Sequence, residues 1–287
     1  MKINSFLQRV TESTLRRIEF RKKALPLSEL LEQLALKKER KLNSISKING
    51  IAKNRTFISQ LCNKDSINII AEVKYKSPSQ GVISNINDPV GLANGYYQAG
   101  AVAISILTEP EYFGGDIENI KRIRKQLPSA ILMQKDFIID EYQIYEAFYY
   151  GADIILLIVA VLGSERTRRF LEVARSLGLS ALVEVHTEEE MNMALNIINI
   201  GTSIIGINNR DLHTLSVSLN VSRRLASMIP EEVLVISESG IESLEEINEL
   251  RALGYHGFLM GTSLVKNSSP THFLDQLISN NNLKAVL

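Results

Sequence analysis

In residues 69–81, I-I-A-E-V-K-Y-K-S-P-S-Q-G, an acid and a base stand two positions apart at the end of an apolar run. Residues two apart on a strand point to the same side, so Glu72 and Lys74 emerge together just before Ser, Pro and Gly break the run. Such a pair can move protons or bind a polar substrate. It can equally be a surface ion pair at a strand end, and this segment alone does not separate the two readings. Further on, other apolar runs end in similar groups. Lys135 stands in Q-K-D-F and Glu184 in L-V-E-V-H, while Asn208 and Arg210 stand in I-N-N-R-D. Glu238, Ser239 and Gly240 occupy S-E-S-G, and Gly261, Thr262 and Ser263 occupy M-G-T-S.

The elements that must position these groups are legible from residue 67 onward. Short apolar runs at 67–74, 101–107, 130–134, 152–158, 180–185, 203–207, 233–238 and 256–260 alternate with amphipathic helical stretches. Helix starts are marked by Asp140 with Gln143, Thr187 with Glu190, and Ser243 with Glu246, each a pairing suited to a capping box. Gly100, Gly151, Gly178, Gly201 and Gly254 stand just before strands, where a helix would end in a left-handed cap. Strands apolar on both faces suit a parallel sheet covered by helices. Eight βα units predict an α/β fold, a (β/α)8 TIM barrel, with a doubly wound open sheet as the runner-up. Residues 1–55 differ. They are rich in Lys, Arg, Glu and Leu at helical spacing, which predicts two or three helices as an N-terminal extension packed on a barrel of residues 56–287.

In a barrel, the groups at the C-terminal strand ends share one mouth. Each has a bland reading: Lys135 could pair with Asp136, and Asn208 and Arg210 could be turn residues. Glu184 follows Leu182 on the same strand face. If that face points inward, its charge is costly without a partner. The coincidence of two lysines, three glutamates, an Asn and an Arg at one end of separate strands favours a functional mouth. The small residues after strands seven and eight are suited to an anion, held by backbone N–H groups and helix N-termini.

Composition narrows the classes further. Lys plus Arg and Asp plus Glu number 32 each, which is not the basic footprint of a nucleic-acid binder. The single cysteine, Cys62, excludes an intrachain disulfide framework and a cysteine-cluster metal site. The apolar run 154–162 is too short to span a bilayer as a helix, and no signal-peptide core is seen at the N-terminus. The four histidines, His186, His213, His256 and His272, show no ligand spacing, so no metal is expected.

Taken in order, E-V-K-Y-K-S-P-S-Q-G, L-T-E-P-E-Y-F-G-G, K-D-F-I-I-D-E-Y-Q-I-Y-E-A, G-A-D-I-I-L-L-I-V-A-V-L, L-V-E-V-H, I-N-N-R-D-L, S-E-S-G-I and M-G-T-S-L resemble indole-3-glycerol phosphate synthase over residues 50–267. The resemblance implies a lyase of tryptophan biosynthesis. Its substrate would be 1-(2-carboxyphenylamino)-1-deoxyribulose 5-phosphate, closed, decarboxylated and dehydrated to indole-3-glycerol phosphate, without cofactor or metal. It implies Lys135 as general acid and Glu184 in proton transfer during dehydration. Glu72 and Asn208 would hold hydroxyls and assist, and Lys74 and Arg210 would face anionic groups. Ser77, Ser239, Gly240, Gly261 and Thr262 would line a phosphate site beside Glu238. Phe113 and Phe137 would sandwich the anthranilate ring with aliphatic neighbours. Thr262 and Gly115 stand where the family often has serine, with slight effects on affinity expected. The resemblance further implies a cytoplasmic enzyme with a small sugar-phosphate substrate and neither nucleic acid nor membrane as partner. A monomer is expected, and a complex with other pathway enzymes stays open. The rivals are another phosphate-binding barrel enzyme such as phosphoribosylanthranilate isomerase, a Schiff-base aldolase using Lys135, and a catalytically inactive barrel serving as a scaffold.

Overall fold

The computed structural model describes residues 6–45, 57–63, 65–77, 81–83, 88–198, 201–212 and 214–279. Eight parallel strands close a barrel: β1 Ile69–Val73, β2 Ala103–Leu107, β3 Leu132–Lys135, β4 Ile154–Ile158, β5 Ser180–Val185, β6 Ser203–Asn208, β7 Val235–Glu238 and β8 Gly257–Met260. Each pairs with its sequence neighbours, and β1 also pairs with β8, with Ile69 opposite Phe258. That last pairing excludes the open-sheet alternative.

Alternation along each strand sorts the side chains into two cores. Ile70, Ala103, Met133, Ile154, Leu156, Leu182, Ile204, Ile236 and Leu259 point inward and form one buried cluster. Ile69, Ala71, Ile104, Ile155, Val183, Ile205 and Val235 pack outward against the helices. Two residues beyond an inward apolar side chain lies the next inward position. Glu72 follows Ile70, Lys135 follows Met133, Glu184 follows Leu182 and Glu238 follows Ile236, so all four point to the same end of the barrel.

The expected glycines carry positive φ, 91° at Gly100 and 100° at Gly151 among them. Asp140 with Gln143 and Ser243 with Glu246 form complete capping boxes. Thr187 forms only half of one. Its side chain accepts the Glu190 N–H, but the Glu190 carboxylate reaches the backbone N–H of His186 instead, at 2.7 Å.

Two helices precede the barrel, α1 Phe6–Ala24 and α2 Leu27–Ile45, separated at Pro26. Phe6 and Val10 of α1 join the inward cluster of the barrel. Ile18, Leu30 and Leu34 pack on Ile139 and Tyr142, and the Tyr142 hydroxyl donates to the Leu25 carbonyl at 2.9 Å. The expected boundary at residues 55 and 56 lies outside the described residues. The apolar run 154–162 divides between β4 and the start of the helix Val159–Ser176. Among the described residues no helix is long and apolar enough to cross a membrane.

Candidate active site

Lys135 ends β3 and points into the mouth of the barrel. Its Nζ donates to Glu184 Oε2 at 3.0 Å and lies 3.1 Å from Glu238 Oε2. Both carboxylates are almost completely buried. The bland pairing with Asp136 is not made. Asp136 Oδ1 takes the Arg17 guanidinium of α1 at 2.6 Å, and Oδ2 accepts the Thr108 hydroxyl at 2.6 Å. Glu72 and Lys74 pair with each other at 3.0 Å, and the pair is buried. The surface reading of these two residues is therefore overturned, because both face the same cleft as Lys135.

Burial and neighbouring charge set the protonation states. Burial alone would lower the Lys135 pKa, but the fields of Glu184, Glu238 and Glu72 outweigh it and hold the ammonium above its ordinary range. Burial alone would raise Glu184. Lys135, followed by His186, overcomes this and keeps the carboxylate well below its usual range. Glu238 goes the other way. Burial, reinforced by Glu184 and only partly offset by Lys135, pushes it up to about 7. One ammonium between two buried carboxylates thus favours one ionised and one readily protonated acid.

The same cleft is lined by Leu107, Phe113, Phe137, Leu156, Ile158 and Leu212 on its apolar side. Phe113 and Phe137 do not face one another across a slot. Their ring centroids are 6.1 Å apart at an interplanar angle of 40°, a direct aromatic contact. Phe6 of α1 packs edge-on against both, at 6.4 Å and 6.1 Å. The three rings make one wall, which leaves the aliphatic residues to form the opposite face of any aromatic slot.

Asn208, Arg210, Ser239, Gly240, Gly261 and Thr262 also line the cleft. The side chain of Ser77 lies outside the described residues; its backbone pairs with Gly81 in a two-stranded hairpin just after β1. Ser239 and Gly240 both have positive φ, 68° and 76°, which turns the backbone sharply after β7. The helix that follows, Leu244–Ala252, is capped by its own residues, with Glu246 Oε2 accepting the N–H groups of Glu242 and Ser243 at 2.7 and 3.1 Å. Gly261 is required by its neighbour, since a Cβ there would lie 2.5 Å from Glu72 Oε1 and 3.0 Å from Glu72 Cβ. Gly206 of β6 is similarly placed, where a Cβ would collide with Glu238 Oε1. At Gly115 a Cβ would collide with the Leu107 carbonyl oxygen, so the backbone of this chain accommodates glycine there and not serine.

Other residues of the site escaped the sequence reading. Glu109 is buried in the cleft wall, and its carboxylate accepts the N–H groups of Glu111, Tyr112 and Phe113, which holds Phe113 in place. The signal was the dipeptide Glu-Pro, an N-cap followed by proline at the first helical position. Asn209 ties the loop after β6 to β7. Its Nδ2 donates to Ser237 Oγ and to the carbonyls of Glu238 and Ser239, and its Oδ1 accepts the Ser222 N–H.

The indole-3-glycerol phosphate synthase family model matches residues 22–277. The chain belongs to this family. It is 39% identical over 263 residues to the indole-3-glycerol phosphate synthase of Lachnoclostridium phytofermentans, covering 92% of this chain and 95% of that protein. The synthase of Acetivibrio thermocellus is 46% identical over 220 residues, 77% of this chain and 83% of that one. Among solved structures, 3-hexulose-6-phosphate synthase from Salmonella typhimurium superposes with a TM-score of 0.60 at 12% identity, over 76% of this chain and 99% of that chain, a likeness of fold alone. As a member of the family, the chain is a carbon–carbon lyase of tryptophan biosynthesis that forms indole-3-glycerol phosphate, and its substrate is a small phosphorylated molecule.

Proposed function

We propose that Lys135 is the general acid of indole ring closure, protonating the substrate ketone as the new carbon–carbon bond forms. The observation that carries this reading is its position, with the ammonium at the cleft floor 3.0 Å from Glu184 and 3.1 Å from Glu238. Ring closure places charge on the ketone oxygen, and a preorganised cation there stabilises it. Loss of CO₂ then returns electrons to the ring. The final dehydration needs one group to take a proton and another to release water, and Glu184, held ionised, is suited to take the proton. Glu72 and Asn208 hold substrate hydroxyls and assist that transfer. Lys74 and Arg210 face the carboxylate. Glu238 completes the contacts on the Lys135 side, and Ser77, Ser239, Gly240, Gly261 and Thr262 form the phosphate end. The anthranilate ring lies on the wall of Phe113 and Phe137. Anchoring both ends of a flexible substrate restricts it to conformations near the closed ring.

The N-terminal helical extension, residues 1–55, serves the barrel, residues 56–287, through α1, and the enzyme works as a cytoplasmic monomer. Purified chain supplied with 1-(2-carboxyphenylamino)-1-deoxyribulose 5-phosphate should develop indole fluorescence, against no tryptophan background of its own. Lys135→Ala and Glu184→Gln should each lower kcat by about a hundredfold or more, with smaller changes in KM. Near wild-type kcat in either variant removes that residue from its proposed role. Borohydride added during turnover should trap no adduct on Lys135, and a trapped adduct would establish Schiff-base chemistry instead.

A further inference from the structure

His186 stands one residue beyond the end of β5 and does not line the cleft, yet it touches Glu184. Its Nε2 lies 3.4 Å from Glu184 Oε1, on the side away from the oxygen that binds Lys135. Its Nδ1 lies 3.2 Å from Glu190 Oε2, and the same Glu190 oxygen accepts the His186 backbone N–H at 2.7 Å. Glu190 therefore grips this residue twice and sets the plane of the ring, while the opposite nitrogen is presented to Glu184.

We propose that His186 is a positioning residue that acts through Glu184, as an imidazolium fixed by Glu190. The proposal rests on the role of Glu184 in dehydration. Nδ1 is hydrogen-bonded to Glu190, and Nε2, which makes no hydrogen bond, lies beside the Glu184 carboxylate, so the doubly protonated ring is the form that sets positive charge between the two carboxylates. Burial would lower the His186 pKa, but Glu184 and Glu190 outweigh it and push it up to about 10. Among the described residues, the charged groups that act on His186 are Glu184 on its own strand and Glu190 on the following helix, and Glu238 of β7 feels its field. With Lys135 at one oxygen and His186 beside the other, the Glu184 carboxylate is kept ionised and in one orientation until the substrate presents its proton.

Two measurements test this. In ¹⁵N-histidine NMR of the whole protein, the signal lost in His186→Gln should be that of a ring protonated on both nitrogens at pH 8. A neutral ring at that pH overturns the proposal. In steady-state kinetics, His186→Ala should lower kcat by roughly tenfold or more with little change in KM, as loss of a supporting partner does. Its acid limb should move to higher pH, because Glu184 has lost a cation. His186→Gln, which is neutral, should show the same shifted acid limb. Wild-type kcat and an unmoved acid limb in His186→Ala overturn the proposal, as does an unmoved acid limb in His186→Gln. Glu184→Gln measured alongside separates the outcomes. If it keeps its turnover, the role of Glu184 has failed; if only the histidine variants are silent, the inference from His186 has failed.

Discussion

At the scale of single residues, the site works by unequal treatment of similar groups. Glu184 and Glu238 share one ammonium, but Glu184 also has His186 beside it, and only Glu238 is pushed up to about 7. This has a consequence for stability. A carboxyl of ordinary pKa 4.5 loses its proton first in the unfolded chain. Between that value and about 7 the folded state holds the extra proton, so the stability contributed by Glu238 falls as pH rises through this window. Glu238→Gln removes the titration. The melting temperature of the variant relative to wild type should therefore climb from about pH 5 to about pH 8, and a constant difference would place the Glu238 pKa near its ordinary value. Much of this chemistry was legible in the sequence, because alternation from Ile70, Met133, Leu182 and Ile236 dictates where Glu72, Lys135, Glu184 and Glu238 point. Which acid pairs with which base was not legible. Lys135 has Asp136 next to it in the chain, but consecutive strand residues point to opposite faces, and Asp136 finds Arg17, 119 residues earlier.

At the scale of elements, α1 contributes to the site from outside the barrel. Arg17 holds Asp136, the residue after Lys135, and Phe6 backs the wall of Phe113 and Phe137. Asp136 is fully buried at its side chain while Arg17 is nearly so. Replacing Arg17 by Met leaves a buried carboxylate with one cation fewer, at a cost of about 3 kcal/mol. Arg17→Met should melt several degrees lower and should lose kcat as well, through the shifted backbone beside Lys135. An unchanged melting temperature would show that Asp136 is satisfied by Thr108 and its neighbours alone. The sequence indicated α1 and α2 from their leucine-rich spacing, but not their docking. The period of an amphipathic helix identifies a buried face without naming the surface that buries it. The short hairpin after β1 was not legible in the sequence, since two-residue strands carry no alternation to detect.

At the scale of the whole molecule, the closed order of strands brings residues from 72 to 262 to one end of the barrel. Net charge of zero means that no long-range field draws the anionic substrate in, so the local groups at this mouth must do the binding. The N-terminal helices share apolar cores with the barrel, Phe6 and Val10 lying in the same cluster as Leu182 and Ile236. They should not unfold separately. Calorimetry should show a single cooperative transition, with protease cleavage within α1 appearing only as the barrel melts. An earlier, separate transition that releases α1 would show that the helices are an appendage. The eight-unit pattern made this architecture readable from the sequence, because strand, helix and turn signals recur at every unit. The mutual fit of the two parts depends on contacts between distant residues and leaves no local signal.

The two glycines that abut Glu72 and Glu238 restrict the order in which this site can change over generations. A side chain gained at Gly206 or Gly261 would strike the facing carboxylate while that acid is still needed. If the acid is shortened first, space opens and the neighbouring strand becomes free to drift. A side chain gained at either position would therefore push the facing carboxylate out of its present place, and a bulky residue at 206 or 261 in a related barrel would mark a mouth whose acids are arranged differently.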